Sequence, residues 1–259
     1  MSETAGKDSA ARALGVAFAV AFVCALLVST TTVLLRPVQR ANIETGRIMQ
    51  LVREALPDAG AKIGVGDLEA QVVELASGRI DTGIDPAVFD TETAASQPET
   101  SAEIPRDQDL ARLRRRALHA PVYLVRGAGR SIETIILPVY GRGYQSILRA
   151  WLVLDGEATR VRALKVYEQG ETPGVGSRVE DPEWQAEWRD RPIYDADGVL
   201  RIGVATRAGD ESGPYAKFLV DGISGATRTA RGIDGMVRFW LGEFGFGPFL
   251  QRVRKGEIQ

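Results

Sequence analysis

The sequence predicts an α+β protein, mainly an antiparallel sheet flanked by helices, attached to one N-terminal transmembrane helix. Residues 13–35 form a long apolar run without a charged side chain. Further on, four segments rich in β-branched and aromatic residues follow one another through short connectors. These segments are residues 122–126, 134–140, 147–154 and 160–167. Strands joined by such short connectors pair antiparallel, which gives the predicted sheet.

The apolar run at residues 13–35 has the length of a membrane-spanning helix. At about 1.5 Å per residue it reaches roughly 34 Å, enough to cross a hydrocarbon core of about 30 Å. A cleaved signal peptide has a shorter apolar core and a small-x-small cleavage site, which this run lacks. We therefore predict a tail over residues 1–12, a retained anchor over 13–35 and a globular domain over 36–259. Basic residues flank both ends of the anchor, so charge alone does not predict its orientation.

Several further elements are predicted around the four strands. Residues 42–56 have apolar positions at helical spacing and precede Pro57, which predicts an amphipathic helix. Asp, Glu, Thr, Ser, Ala and Pro dominate residues 81–109, which predicts a flexible acidic segment on the surface. The other predicted elements are a strand at 70–75, a helix at 182–188, strands at 199–205 and 216–220 that continue the sheet, and helices at 229–241 and 248–255.

Composition restricts the chemistry that the chain can perform alone. Its one cysteine, Cys24, lies in the apolar run, so neither a disulfide framework nor a thiolate metal cluster is possible. Its one histidine, His119, leaves little for a catalytic triad or an ordinary zinc site. The net charge of -2 gives no reason to expect nucleic acid, and the short patch of Arg112, Arg114, Arg115 and Arg116 is interpreted as a solvated face. We predict no catalytic residue and no metal site, and infer that a bound cofactor carries the chemistry.

The segment at residues 221–227, DGISGAT, lies between a predicted strand and a predicted helix. A turn of small residues leading into a helix presents backbone N–H groups and the positive end of the helix dipole, which suit a phosphate group. The alternative is that Ser224, Thr227 or Thr229 only caps the helix. Local chemistry alone favours the capping interpretation.

Three other segments combine glycine with aromatic or polar residues. Residues 170–176, GETPGVG, could let the backbone approach a flat ligand closely, although a simple turn is the preferred interpretation. Residues 137–144, LPVYGRGY, are compatible with a hairpin that packs its tyrosines. The aromatic residues of segment 239–250 are assigned to the core.

Taken together and in this order behind one N-terminal span, these segments resemble the C subunits of sodium-translocating NADH:quinone oxidoreductases. The most specific pieces are PVYGRG at 138–143, GETPGVG at 170–176, SGAT at 224–227 and GFGPFL at 245–250. The resemblance covers nearly the whole chain and is weakest at 81–109. It reverses the preference stated above, from a capping motif to a flavin site.

The resemblance implies that flavin mononucleotide (FMN) is bound covalently, through a phosphoester to Thr227, the last residue of the family's Ser/Thr-Gly-Ala-Thr signature. It also implies a flavin transferase that recognises this segment. The loop resembling GETPGVG lies by the isoalloxazine ring in the family, and Val175 stands where leucine is usual. The implied cofactor-binding residues are Thr227, Ser224, Gly225, Ala226, Glu171, Thr172, Gly174 and Val175.

The same resemblance implies an electron-relay subunit of a bacterial inner-membrane complex. Such a complex oxidises NADH, reduces ubiquinone and exports sodium, with this domain on the periplasmic side. The chain lacks a dinucleotide fingerprint after a strand, so NADH is expected to bind another subunit. Two alternatives remain open at this point. One is the flavin subunit of the related ferredoxin-linked complex, and the other is a membrane-anchored assembly protein without a redox role.

Overall fold

The computed structural model describes residues 15–32, 46, 48–50, 53, 65–127, 129, 131–207 and 209–258. Two compact units divide the chain, Met1–Gly46 and Arg47–Gln259. In the first unit, Gly15–Thr32 forms helix α1, with a mean hydropathy of 2.0, which is long and apolar enough to cross a membrane. The ends of the predicted span at 13–35 lie outside the described residues.

A six-stranded sheet forms the centre of the second unit. Its strand order is β2-β1-β5-β6-β7-β8, and every neighbouring pair is antiparallel. The strands are β1 (Leu68–Glu74), β2 (Arg79–Ile80), β5 (His119–Arg126), β6 (Ile132–Arg142), β7 (Ile147–Asp155) and β8 (Val161–Glu168). The predicted strands at 70–75 and between 122 and 167 are therefore confirmed, and so is their antiparallel pairing.

Both faces of this sheet are covered by apolar side chains. One face carries the main core, to which α3 (Pro182–Ala186), α4 (Thr227–Leu241) and α5 (Gly247–Arg254) contribute buried side chains. On the other face, Ile48 and Met49 are buried in a smaller cluster with Trp151. The prediction of a helix at 42–56 falls mostly outside the described residues, and those described within it are helical. Burial on both faces explains why β7 is almost continuously apolar rather than alternating.

The acidic segment at 81–109 contains short regular elements. It includes helix α2 (Thr91–Ser96) and strand β3 (Ser101–Glu103), which pairs with β4 (Arg115–Ala117). The Asp90 side chain accepts the backbone N–H of Thr93 at 2.7 Å and thereby caps α2. Composition alone does not predict these elements, because a helix cap and the β3–β4 pairing stabilise them. They do not depend on a large apolar face, which the sequence would show.

The prediction that residues 199–205 and 216–220 continue the main sheet is wrong. Only β9 (Gly203–Val204) and β10 (Leu219–Val220) are strands, and they form a separate parallel pair. The backbone N–H of Val204 donates to Oδ1 of Asp234 on α4 at 2.9 Å. The side chain of Asp234 thus occupies a backbone donor that would otherwise be available for pairing with a further strand.

The C-terminal helices fix the end of β6. Trp240 of α4 is almost fully buried, and its indole Nε1 donates to the Tyr140 carbonyl at 2.7 Å. Phe246 and Phe249 are fully buried and belong to the same core cluster as Trp240. This confirms the assignment of segment 239–250 to the core. The antiparallel pairing of β6 with β7 confirms that residues 137–144 belong to a hairpin.

Replacing Trp240 with phenylalanine should lower the free energy of unfolding by about 2 kcal/mol. The change leaves the part-buried Tyr140 carbonyl without its donor, which costs about 1–3 kcal/mol, and it reduces apolar contact. Urea unfolding followed by circular dichroism measures the difference. The matched control is Trp184→Phe, whose indole donates to the carbonyl of Asp221, an exposed residue, so water can replace that donor and the loss should be smaller. Equal stability of Trp240→Phe and the parent protein would contradict the role of this bond.

Candidate functional site

The glycine-rich loop at 170–176 follows β8 and is held by one buried carboxylate. The Glu171 side chain is 4% exposed, and both of its oxygens accept hydrogen bonds. The donors are the backbone N–H groups of Tyr144, Gln145 and Ser146, each at 3.0 Å, the Ser146 hydroxyl at 2.9 Å and the Thr229 hydroxyl at 2.6 Å. One side chain therefore joins the loop, the β6–β7 turn and the first turn of α4.

These hydrogen bonds keep Glu171 ionised. Burial by itself raises the pKa of its carboxyl group, but the bonds from Thr229, Ser146 and Gln145 outweigh burial and hold the pKa below its ordinary value. Glu171 therefore stays an acceptor at neutral pH and orders the groups around it. Its carboxylate faces protein donors, so any effect of Glu171 on a ligand runs through the loop that it holds.

Helix α4 begins immediately after the small-residue turn. Gly225 has φ +79, a left-handed conformation that glycine adopts without steric cost. Ala226 occupies the N-cap position, and no side-chain hydrogen bond caps the helix. Thr227 is the first helical residue and is exposed. Within the described structure, then, Ser224, Thr227 and Thr229 do not cap the helix, and the Thr229 hydroxyl bonds to Glu171 instead.

An uncapped helix start leaves backbone N–H groups available to an anion. The first four N–H groups of an α-helix have no partner inside the helix. Helix α4 is 15 residues long, so its dipole places partial positive charge at Thr227. A cofactor with a phosphate group is well suited to the N-terminus of such a helix. The exposed Thr227 hydroxyl lies at this N-terminus.

The loop and the helix start lie side by side. A Cβ atom built on Gly225 lies 3.9 Å from Cγ1 of Val175, which is ordinary van der Waals contact. Val175 is 38% exposed, a large fraction for an apolar side chain. Gly174 is exposed with φ +70, and a Cβ atom there meets no neighbour within 4 Å. These residues form an open apolar surface beside Thr227, against which a flat ring system can pack.

Thr172 completes the support of this surface. Its hydroxyl accepts a hydrogen bond from Gln145 Nε2 at 3.0 Å, and its carbonyl accepts the N–H groups of Val175 and Ser177. The structure thus brings together the sequence-predicted residues of the two segments. Ser224 and Gly225 are exposed at the turn, whereas the Ala226 side chain is buried and packs inward.

The roles of two residues at this site differ from those that the sequence predicts. Tyr144 is 48% exposed, and the Arg228 guanidinium carbon lies 5.0 Å from its ring centroid. The hairpin interpretation placed Tyr144 among packed tyrosines, which is correct only for Tyr140. The second is Thr229, the buried donor to Glu171. Its spacing of two residues from Thr227 gives no signal in the sequence.

The loop and the helix start lie in a region that this chain shares with a known family. The family described as FMN-binding domain matches residues 143–242, a range that contains both the loop and the helix start. The C subunit of the Na(+)-translocating NADH-quinone reductase of Pseudomonas aeruginosa is 37% identical over 98% of this chain and 99% of the relative. Its counterpart from Vibrio parahaemolyticus is 36% identical over 97% and 98%.

The chain belongs to the family of Na(+)-translocating NADH-quinone reductase C subunits.

Solved structures of family members have the same fold as this chain. The crystal structure of Shewanella oneidensis NqrC superposes with a TM-score of 0.69 and 27% identity, covering 82% of this chain and 98% of that one. The family member from Parabacteroides distasonis, at 21% identity and a TM-score of 0.56, shares the fold. The predicted α+β class and the predicted resemblance are confirmed. The ferredoxin-linked alternative is not favoured, since the relatives named here are quinone-linked subunits.

Proposed function

We propose that this member of the family carries FMN in phosphoester linkage to Thr227 and relays electrons within a membrane complex that oxidises NADH, reduces ubiquinone and exports sodium. The observation that carries the proposal is the exposed Thr227 hydroxyl at an uncapped helix start, beside the open surface of Gly174 and Val175. The match of residues 143–242 to FMN-binding domains supports the identity of the cofactor.

The residues divide the work of holding FMN. Ser224, Gly225 and Ala226 shape the turn that brings Thr227 to the start of α4, where the N–H groups and the helix dipole favour the phosphate. Thr172, Gly174 and Val175 provide the surface for the isoalloxazine ring, and Glu171 fixes that surface through Thr229 and the β6–β7 turn. When bound, FMN supplies the capacity to accept and pass on electrons. The chain positions it and needs no nucleophile for that task.

Attachment requires a partner enzyme. The Thr227 oxygen forms a bond to the phosphorus of an activated FMN donor, the bond from that phosphorus to the donor's phosphate leaving group breaks, and the leaving group departs with the hydroxyl proton while the flavin stays on Thr227. His119 lies at the start of β5 with Nε2 3.3 Å from Asp81 Oδ2, and none of its contacts among the described residues is with Thr227. We therefore propose that a flavin transferase recognises the segment 221–227 during maturation.

Mass spectrometry of the protein from its native host tests the proposal. The peptide containing Thr227 should carry the mass of FMN minus one water. Protein produced in a host without the transferase should carry no adduct and serves as the control. An unmodified Thr227 peptide from the native host would favour the remaining alternative, an anchored assembly protein without a redox role.

A charge placed on the proposed ring surface should alter the flavin without removing it. Val175→Asp should lower the flavin midpoint potential by an amount on the order of tens of millivolts, because a nearby carboxylate disfavours added electrons. Covalent flavin content should stay unchanged. The matched control is Val199→Asp, since Val199 is 45% exposed and lies in a separate loop. Spectroelectrochemistry measures both; equal potentials in the two variants would contradict the assignment of the loop.

The family membership and helix α1 support anchoring in the bacterial inner membrane. We propose a single pass with the second unit on the periplasmic side, together with the other subunits of the complex. Protease added to intact spheroplasts should digest the domain. Protection of the domain until the membrane is lysed would overturn this orientation.

A further inference from the structure

An open groove rich in arginine lies outside the residues assigned to flavin. Its volume is about 1330 Å³. Five arginines line it: Arg106, Arg112, Arg114, Arg115 and Arg142. Three of them, Arg112, Arg114 and Arg115, belong to the patch that the sequence analysis interpreted as a solvated face.

The acidic side chains in the groove are already engaged. Glu103 pairs with Arg115 at 3.0 Å, and the Asp109 carboxylate accepts the backbone N–H groups of Leu113 and Arg114, each at 2.8 Å. Arg112 donates through Nη2 to backbone carbonyls, including that of Gly143 at 2.8 Å. The five arginines of the groove exceed its two carboxylates by three, so the groove keeps an excess of positive charge.

Three guanidinium groups remain for an external partner. Arg106, Arg114 and Arg142 are exposed, and within the described part of the chain they form no ion pair. A guanidinium is a planar fork of N–H donors that matches a carboxylate in two-point geometry. The groove thus presents free carboxylate-binding groups on a chain whose net charge is -2.

The backbone holds these groups in place. Arg112 and Arg114 have φ of 56° and 67°, a region that non-glycine residues seldom occupy. The Asp109 carboxylate and a bond from the Arg142 N–H to the Ala111 carbonyl at 2.9 Å fix this conformation. Such conformations persist where the surroundings enforce them, and they cluster at binding sites.

The groove adjoins the proposed flavin site through one turn. Arg142 ends β6, and the next residues form the β6–β7 turn whose N–H groups hold Glu171. Ile104, Leu113 and Ile147 line the groove together with the arginines. Arginine combined with apolar contact in an open groove is typical of a protein interface, whereas a small anion needs convergent groups.

We propose that this groove docks a carboxylate-rich surface of another polypeptide, the one that exchanges electrons with the flavin. The inference rests on the proposed function for the identity of that partner. Opposed charges orient the two proteins and accelerate their encounter, so the groove sets the orientation in which the flavin side of this domain meets its partner.

Arginine footprinting of the full chain tests the docking. Phenylglyoxal modifies accessible guanidinium groups, and peptide mass spectrometry reports each rate. In the assembled complex, Arg106, Arg114 and Arg142 should react at least about fivefold more slowly than in the isolated full-length chain, because an interface excludes solvent. Arg79, Arg189 and Arg207, also exposed, are the controls and should keep their rates.

Other outcomes overturn the proposal. Equal rates in complex and isolated chain would do so. Protection of the isolated chain by inorganic phosphate, or by vesicles of anionic lipid without other subunits, would assign the groove to an anion or to the membrane instead. Flavin fluorescence of the denatured chain is recorded in parallel. Protected arginines on a chain without flavin would defeat the proposed function while leaving a docking surface, and flavin with unprotected arginines would defeat the docking alone.

A triple variant provides a second measurement. Arg106→Gln/Arg114→Gln/Arg142→Gln should retain covalent flavin but release the chain from the purified complex at lower salt than the parent. The matched variant Arg79→Gln/Arg189→Gln/Arg207→Gln removes the same charge elsewhere and should dissociate like the parent. Identical dissociation of the two variants would contradict the groove as the docking surface.

Discussion

Replacing Thr227 with valine should abolish covalent flavin while leaving the domain folded. Valine keeps the branched shape of threonine but lacks the oxygen that would bond to phosphorus. The position is exposed, and no side-chain hydrogen bond of Thr227 caps α4. Surface substitutions of this kind usually change the free energy of unfolding by no more than about 0.5 kcal/mol. Flavin fluorescence of the denatured band should fall to background, with unchanged urea unfolding.

The control for this experiment is Thr91→Val. Thr91 is the first residue of α2, as Thr227 is the first residue of α4, so both variants change a threonine at a helix start. Thr91→Val should keep the full flavin signal. Fluorescence that survives denaturation of Thr227→Val would place the covalent bond on another residue.

Replacing Glu171 with alanine should produce the largest loss of stability in the site. The change removes the acceptor of five hydrogen bonds and leaves buried donors unpaired, among them the Thr229 hydroxyl. Hydrogen bonds to charged groups are each worth about 1.5–3 kcal/mol and are not additive, so we expect a loss of about 3 kcal/mol. Glu171→Gln should recover part of this loss, because the amide oxygen still accepts hydrogen bonds.

The pH dependence follows from the depressed pKa of Glu171. A carboxyl group whose pKa is lower in the folded state stabilises the protein above its unfolded pKa. That contribution is lost as the pH falls through the folded value. Urea unfolding of the parent and of Glu171→Gln should therefore differ most near neutral pH and converge in acid, below the ordinary value of 4.5. A difference that stays constant with pH would contradict an ionised, hydrogen-bonded Glu171.

The sequence predicts the main sheet because its strands are local patterns. Segments such as 147–154 are rich in apolar and β-branched residues and are bounded by turns, and close neighbours along the chain pair antiparallel. The same patterns at 199–205 and 216–220 fail because pairing depends on distant residues. There the carboxylate of Asp234, 30 residues further along the chain on α4, accepts the N–H of Val204. That N–H is then not available for pairing with a further strand.

In the candidate site, too, local motifs can be recognised in the sequence, whereas contacts between distant residues cannot. Thr227 and the loop at 170–176 are recognisable from short motifs, and the structure brings Val175 next to Gly225. The role of Glu171 is not recognisable, because its donors lie 25 to 58 residues away along the chain. A carboxylate in a glycine-rich loop suggests a ligand contact until the fold shows that its partners are the protein's own N–H and hydroxyl groups.

The position of Thr227 has a consequence for the order of events in biosynthesis. Its side chain is exposed at the first residue of α4, whereas Trp240 near the other end of that helix is buried in the core. Under the attachment proposed above, a transferase would reach Thr227 on the surface of an already folded chain, so the pigment would be added after folding.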